Sequence, residues 1–341
     1  MQLTDKPKVL YIGQYSEGTT SKQRADTIKS LLDTDVFRII DLHEPFYRTS
    51  RVWRSIGFRY KKGPLIPAVN TFIRNKVQEP YDLIWVDKGI YITAATTAFL
   101  RAHTKKLVHF TPDPAFTFHK SRLFYQSLKF YDYVITTKSY ELERYFDYLE
   151  EEQVLFVTQG FDPNLHQPDF SNFDEKEGLL FIGHYEVERA RVISALLDAG
   201  TKVKLAGIKW DKFVQKNNNP NLNYLGRGVY GADYVKAIQQ AQMAWGAVSK
   251  WVPELHTTRT FEIPACGTAL VTERNKETSS FFNEEDVIFY DSETELVKRV
   301  GFFMNNKKAL LDVTQKGYER VCKGGYDYRT ILERIIEQIL R

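Results

Sequence analysis

Arg259 and Glu262 stand three apart in the stretch Thr257-Thr258-Arg259-Thr260-Phe261-Glu262-Ile263-Pro264-Ala265-Cys266-Gly267-Thr268, just before a turn of small residues that includes Gly267. Residues three apart are neighbours at the helical period, so a helix beginning near Thr258 sets both charges on one face. The planar fork of an Arg suits a diphosphate, and an ionised Glu accepts two hydroxyl hydrogens, as from the vicinal diol of a ribose. A nucleotide sugar carries both groups. Backbone N–H groups at the start of such a helix would add partial positive charge toward the phosphates. The same spacing also describes a surface ion pair of little energetic weight followed by a helix-ending Gly. The surroundings of the pair therefore decide its meaning.

Other groups could share that chemistry. Gly183 closes an apolar run and would let backbone approach a phosphate, with Arg189 or Arg191 on the next segment supplying charge, although turn geometry alone would ask for the same Gly. The segment Gly226-Arg227-Gly228-Val229-Tyr230-Gly231 reads either as a plain loop or as one that offers Tyr230 as a stacking face to a nucleobase. Neither a GxGxxG fingerprint nor a P-loop is present, which disfavours a dinucleotide site. Asp113, in Thr111-Pro112-Asp113-Pro114, follows an apolar run and is the preferred acceptor-side carboxylate. It would act as general base or hold an acceptor hydroxyl, unless it serves only the turn. His109 and His119 flank it and could do similar work near neutral pH, but a lone His more often fills a structural role. Metal-ligand spacings are missing, so no metal and no cofactor beyond a nucleotide-sugar donor are expected.

The elements that must carry these residues read as alternating strands and helices. Lys8 to Ile12, Val36 to Asp41, Leu83 to Val86, Lys106 to Phe110, Tyr133 to Thr136 and Val154 to Val157 are expected strands, with a helix over Ser21 to Leu32. A stretch of turn formers from Gln159 to Pro168 and a polar run from Asp169 to Glu177 then read as a linker. The pattern restarts with strands at Leu179 to Ile182, Val203 to Ala206, Leu222 to Tyr224, Met243 to Ala247, Ala269 to Val271 and Val287 to Tyr290. Helices are expected over Glu188 to Asp198, Ala232 to Ala241, Thr258 to Ala265 and Arg329 to Leu340. Short buried strands between helices argue for parallel, doubly wound sheets. Two such halves in succession favour a two-substrate enzyme, because ligands bind at the carboxyl ends of the strands in such folds.

Length and composition agree with a soluble α/β protein. The 341 residues exceed what one core usually holds, and 43% hydrophobic with 26% charged residues is an ordinary globular balance. A formal charge of +4 gives no reason to expect nucleic acid. Apolar runs fall short of a bilayer span and the opening MQLTDKPK lacks a signal-peptide core, so a cytoplasmic protein is expected. Cys266 and Cys322, the two cysteines, are expected as free thiols. Local charge is more informative. Residues 45–78 contain Arg48, Arg51, Arg54, Arg59, Lys61, Lys62, Arg74 and Lys76 without one acid, among Phe46, Tyr47, Trp53, Phe58 and Tyr60. That mixture suits peripheral contact with the inner face of a membrane or a phosphorylated glycan; nucleic acid would also fit the chemistry, and a solvated helical excursion fits equally.

The order of elements, the linker Gly160-Phe161-Asp162-Pro163, the restart Phe181-Ile182-Gly183 and Arg259-x-Phe261-Glu262-x-x-Ala265-Cys266-Gly267 together resemble GT-B glycosyltransferases. The likeness is to the CgeB-like, spore-maturation-protein branch of the group 1 glycosyl transferases, with Trp85-Val86-Asp87-Lys88-Gly89 and Thr111-Pro112-Asp113-Pro114 matching in the first half. It implies an α/β, GT-B fold of two Rossmann-like doubly wound domains facing a cleft. An acceptor domain would span 1–165, a nucleotide-sugar domain 166–325, and a last helix at 326–341 would cross back to the first. The resemblance assigns Arg259 to the diphosphate and Glu262 to the ribose, prefers Arg189 to Arg191 and implies metal independence. Glu254 lies eight positions before Glu262, the spacing of the paired glutamates of many retaining GT-B enzymes, where the first sits near the donor sugar. The expected activity is sugar transfer to a glycan, lipid-linked or protein acceptor. A noncatalytic anionic-polymer or membrane-binding protein on the same scaffold, or a nucleotide-sugar epimerase, are the alternatives.

Overall fold

The run Val9-Leu10-Tyr11-Ile12 becomes β1 (Lys8–Gly13), and its alternation places Leu10 and Ile12 in one apolar cluster and Val9 and Tyr11 in another, on the two faces of a sheet. The computed structural model describes residues 6–117 and 120–340; His119 lies outside them. After β1 the chain continues through α1 (Thr20–Leu31), β2 (Val36–Asp41), α2 (His43–Arg48), α3 (Arg51–Tyr60), α4 (Leu65–Lys76), β3 (Tyr81–Asp87) and α5 (Ala94–Ala102). It goes on with β4 (Thr104–Thr111), α6 (Arg122–Ser127), β5 (Tyr133–Thr136), α7 (Leu142–Phe146) and β6 (Val154–Phe156). These six strands pair in parallel in the order β2-β1-β3-β4-β5-β6. Sequence order reverses between β1 and β3, held in register from Val9 opposite Leu83 to Ile12 opposite Val86.

The second sheet uses β7 (Leu179–Ile182), α8 (Val187–Asp198), β8 (Val203–Ala206), α9 (Asp211–Lys216), β9 (Leu222–Gly226), α10 (Gly231–Gln239) and β10 (Met243–Trp245). Then come α11 (Arg259–Ala265), β11 (Ala269–Glu273), α12 (Thr278–Phe281), β12 (Ile288–Tyr290), α13 (Glu293–Asn305) and α14 (Lys307–Lys323). Its strand order, β12-β11-β10-β7-β8-β9, is that of the dinucleotide-type doubly wound sheet, with the reversal between β7 and β10. Ligands of open α/β sheets sit outside the carboxyl ends of the strands at such reversals.

Two compact units result, Gln159–Tyr328 and a discontinuous one formed by Met1–Thr158 with Arg329–Arg341. The last helix, α15 (Tyr328–Leu340), turns Ile331, Leu332, Ile335, Ile336 and Ile339 into the cluster of Val9, Tyr11, Ile28 and Trp85, as their helical spacing allows. The turn-rich stretch after β6 is pinned rather than loose, because Phe161 is buried and pairs as a parallel bridge with Asp327. The expected strand from Met243 to Ala247 stops at Trp245. From Gly246 to Thr258 the chain is irregular, and this loop carries Glu254 and leads into α11.

Candidate functional site

Three glycines, Gly183, Gly207 and Gly226, stand at the carboxyl ends of β7, β8 and β9. A Cβ on Gly207 would lie 1.8 Å from the Gly183 carbonyl oxygen, and Gly207 itself sits at φ +148°, so only glycine fits this close approach. Trp210 Nε1 donates to that same carbonyl at 2.8 Å, and Gly207 N–H donates to Gly226 O at 3.0 Å, closing the strand ends into one floor.

Arg189 lies beneath the Gly183 turn and is buried. Its Nη1 is 2.9 Å from Oε1 of the fully buried Glu186 and donates to the His184 carbonyl at 3.1 Å. Burial lowers its pKa, opposed by Glu186; the charges of Arg259 and Glu254 act on it as well. His184 is likewise held below the ordinary imidazole range, first by burial and then by Arg189, with Arg259 and Lys209 adding to the effect. Gly183, Arg189, Glu254 and Arg259 thus belong to one electrostatic neighbourhood. Glu186 does further work, since its Oε2 accepts the Lys250 backbone N–H at 3.1 Å and so ties the irregular loop to the start of α8.

The loop is anchored again at His256, which is buried. Its Nε2 accepts the Gln159 backbone N–H at 2.9 Å, so the ring proton is on Nδ1 and is donated to the Glu277 carboxylate. Arg259 opens α11 just after this anchor, half-buried, lining a small recess with Ile182, Tyr234, Trp245 and Ile263. Among the described residues its guanidinium forms no ion pair and no side-chain hydrogen bond. Glu262 lies one turn on; its Oε2 accepts from Tyr234 OH at 2.6 Å and its Oε1 is 3.8 Å from His166 Nε2. Burial first, then the Glu262 charge, push the Tyr234 hydroxyl well up, so it remains a donor.

This geometry corrects one expectation and locates two further residues. The start of α11 offers few free N–H groups, because Thr258 is already helical and the amides of Thr260, Phe261 and Glu262 bond to the Thr257 and Thr258 carbonyls. Gly267 is at the opposite end of α11 from Arg259, at φ +69° as the turn that ends the helix, with its carbonyl capped by Lys176 Nζ. Tyr230 is 79% exposed at the start of α10, and the ring that reaches Glu262 is that of Tyr234, one turn further along. Lys209, also unforeseen, stands at φ +67° just past β8 with its Nζ 6.0 Å from the Trp251 ring centre. Its signal in the sequence was its place two residues after Gly207.

In the other unit, Asp113 follows β4 and its carboxylate lies 2.7 Å from Lys88 Nζ, both groups about one-third exposed. Lys88 follows β3 at φ +62°, a conformation that costs a non-glycine residue energy and is found at functional turns. His109 supports that turn by donating from Nε2 to the Lys88 carbonyl at 2.9 Å. Its pKa is lowered to about 4 by burial. It therefore serves Lys88 and does not face solvent as a base. The Asp113 loop is held by the buried carboxylate of Glu141, which accepts the amides of Ala115, Phe116 and Thr117 at 2.7 to 3.0 Å. Among the described residues no group of three His, Cys, Asp or Glu could hold a metal ion.

Known structures share this fold. HepE from Anabaena, solved in complex with UDP and glucose, matches with a TM-score of 0.67 at 14% identity over 98% of this chain and 99% of its own. Sucrose-phosphate synthase from Thermosynechococcus elongatus gives 0.68 at 14% identity over the same shares, and α,α-trehalose 6-phosphate synthase from Burkholderia multivorans 0.62 at 11% over 98% of each chain. The fold is GT-B. Within this GT-B chain, a family profile described as "Glycosyl transferase-like" matches residues 189–337, which include Arg189, Glu254, Arg259 and Glu262. Curated proteins give no significant sequence match.

Proposed function

We propose that the protein is a glycosyltransferase that moves a sugar from a nucleoside diphosphate sugar to a glycan, lipid-linked or protein acceptor. The observation that carries this reading is Arg259, a half-buried cation without an ionic partner among the described residues, one turn from a carboxylate already oriented by Tyr234. Arg259 meets the diphosphate, with Lys209 adding positive field and Arg189, held by Glu186, lying beneath the Gly183 floor. Glu262 uses its second oxygen for the ribose hydroxyls. This division leaves no step for a protein-bound metal. Solved complexes of HepE with UDP-glucose make a uridine donor the first to try. Glu254, eight residues before Glu262, sits beside the donor sugar, and that spacing supports retention. Asp113, set against Lys88, holds or deprotonates the acceptor hydroxyl. The segment from Arg259 to Gly267 supports the CgeB-like branch.

The test is titration calorimetry with a panel of nucleoside diphosphates, followed by product analysis with donor and acceptor. Arg259→Ala and Glu262→Ala should each weaken nucleotide binding by roughly 10- to 100-fold, the worth of one charge-assisted contact. Asp113→Asn should keep wild-type nucleotide affinity and lose at least about a hundredfold in transfer. Unchanged affinity for every nucleotide in both donor-side variants would sink the assignment.

A further inference from the structure

Residues 45–78 play no part in either carboxyl-edge site, and they carry an unusual surface. Tyr47, Val52, Trp53, Phe58 and Tyr60 are 62%, 67%, 44%, 47% and 61% exposed. Single exposed apolar residues are ordinary, but five between positions 47 and 60, on two successive helices, mark an interaction surface. Its origin lies in how α3 is attached. Gly57 is the one buried residue of this helix, and a Cβ there would come within 2.6 Å of the Leu65 side chain. The helix is therefore drawn in along its narrowest line, with Arg54 and Ile56 half-buried and Arg51, Val52, Trp53, Ser55, Phe58, Arg59 and Tyr60 left exposed. At the helical period, Arg51, Val52, Ser55 and Arg59 lie opposite Gly57, with Phe58 at their border.

The charge on the same surface is one-sided. Arg51, Arg59 and Lys62 form no ion pair among the described residues, while Arg54 lies over the Phe46 and Tyr47 rings and Lys61 over Phe58 and Tyr91. Arg48 and Lys76 both turn to Glu44, which precedes the segment. Arg51, Arg59 and Lys62, with no acid on α3, oppose pairing of this face with a second copy of itself, since like charges would meet across a twofold axis. At ten residues α3 is also too short to enter a bilayer end-on, and no helix among the described residues is long and apolar enough to cross one. Aromatic rings and Val52 beside Arg and Lys match the interfacial zone of a leaflet, where rings sit at headgroup depth and long cations reach phosphates.

We propose that α2 and α3 form a docking surface for an anionic lipid leaflet. Val52 and Phe58 enter the headgroup region, Trp53, Tyr60 and Tyr47 flank them, and Arg51, Arg59 and Lys62 meet the lipid phosphates. This surface stands independently of the donor site, so nucleotide titration of every variant separates the two readings.

The experiment is flotation of the full chain with phosphatidylcholine vesicles, with and without phosphatidylglycerol, at low and high salt. Binding should require the anionic lipid and fall with salt. Replacing Arg51, Arg59 and Lys62 together by Gln should weaken it roughly a hundredfold, at about fivefold per cation, and Val52→Ser with Phe58→Ser about tenfold. Because these residues are exposed, thermal melts and nucleotide affinity should match wild type. Brominated lipid should quench wild-type tryptophan emission, and Trp53→Phe should remove most of that quenching. Equal binding to neutral vesicles, or no vesicle binding at all, overturns the proposal. So does salt-sensitive binding to single-stranded nucleic acid without vesicle binding, or a dimer that the same substitutions dissolve.

Discussion

The two sheets reverse strand order at the same kind of place, and they fill it differently. Outside β1 and β3, Arg24 makes a two-pronged ion pair with Asp87 at 2.7 and 3.2 Å, and Tyr11 OH donates to Asp87 at 2.9 Å beside Ser21. All four side chains are buried. Outside β7 and β10, Arg189 has Glu186 but Arg259 has no ionic partner among the described residues, and Glu262 has only one oxygen committed to a close hydrogen bond. A reversal point whose polar groups answer one another is part of the framework. One that leaves a cation and a carboxylate oxygen over is shaped for something the chain does not itself supply.

Removing a partner from each reversal point should therefore have opposite signatures. Arg24→Met leaves the Asp87 charge buried and unpaired, and should cost about 3–5 kcal/mol in urea unfolding while nucleotide affinity of the folded protein stays as in wild type. A loss below about 1 kcal/mol would show that the pair does not hold the framework. The next effect in size concerns pH. His109 is neutral in the folded chain down to about 4, whereas the unfolded imidazole titrates at 6.5. Its contribution is then fully present above pH 6.5 and is lost as pH falls toward 4, by about 3 kcal/mol over that window. His109→Gln keeps a donor for the Lys88 carbonyl and should flatten that part of the stability profile; an unchanged slope would assign it to other groups. The smallest effect sharpens the open site. Tyr234→Phe removes one hydrogen bond to Glu262 and should weaken nucleotide binding about fivefold, near 1 kcal/mol, with little change in kcat. A variant that lost stability but bound nucleotide normally would place Tyr234 in the framework instead.

The strands were largely legible, and for a physical reason. β5, β7 and β8 have the bounds that their apolar runs predict, because a strand inside a sheet covered on both faces is apolar almost throughout; β2, an edge strand with Arg38 exposed, keeps its expected bounds as well. The pairing of Arg259 with Glu262 was legible through helical spacing alone. What supports them was not. Glu186 meets Lys250 across 64 positions, His256 meets Gln159 across 97 and Tyr234 meets Glu262 across 28, and no local period encodes such distances. The sequence placed Gly267 and Tyr230 by type alone; the fold adds that one ends α11 and the other stands exposed at the start of α10.

The place of α15 has a consequence for the order in which the molecule can be completed. Val9, Tyr11, Ile28 and Leu32 are made before the whole of Gln159–Tyr328, yet the side chains that cover them come from Ile331 to Ile339. Chains are made from the amino end and domains fold as units. The unit that begins first must therefore keep an apolar flank open until the ribosome has passed Leu340, while Gln159–Tyr328 has all of its own residues earlier. Of the two units, the one with the earlier residues is the one completed last.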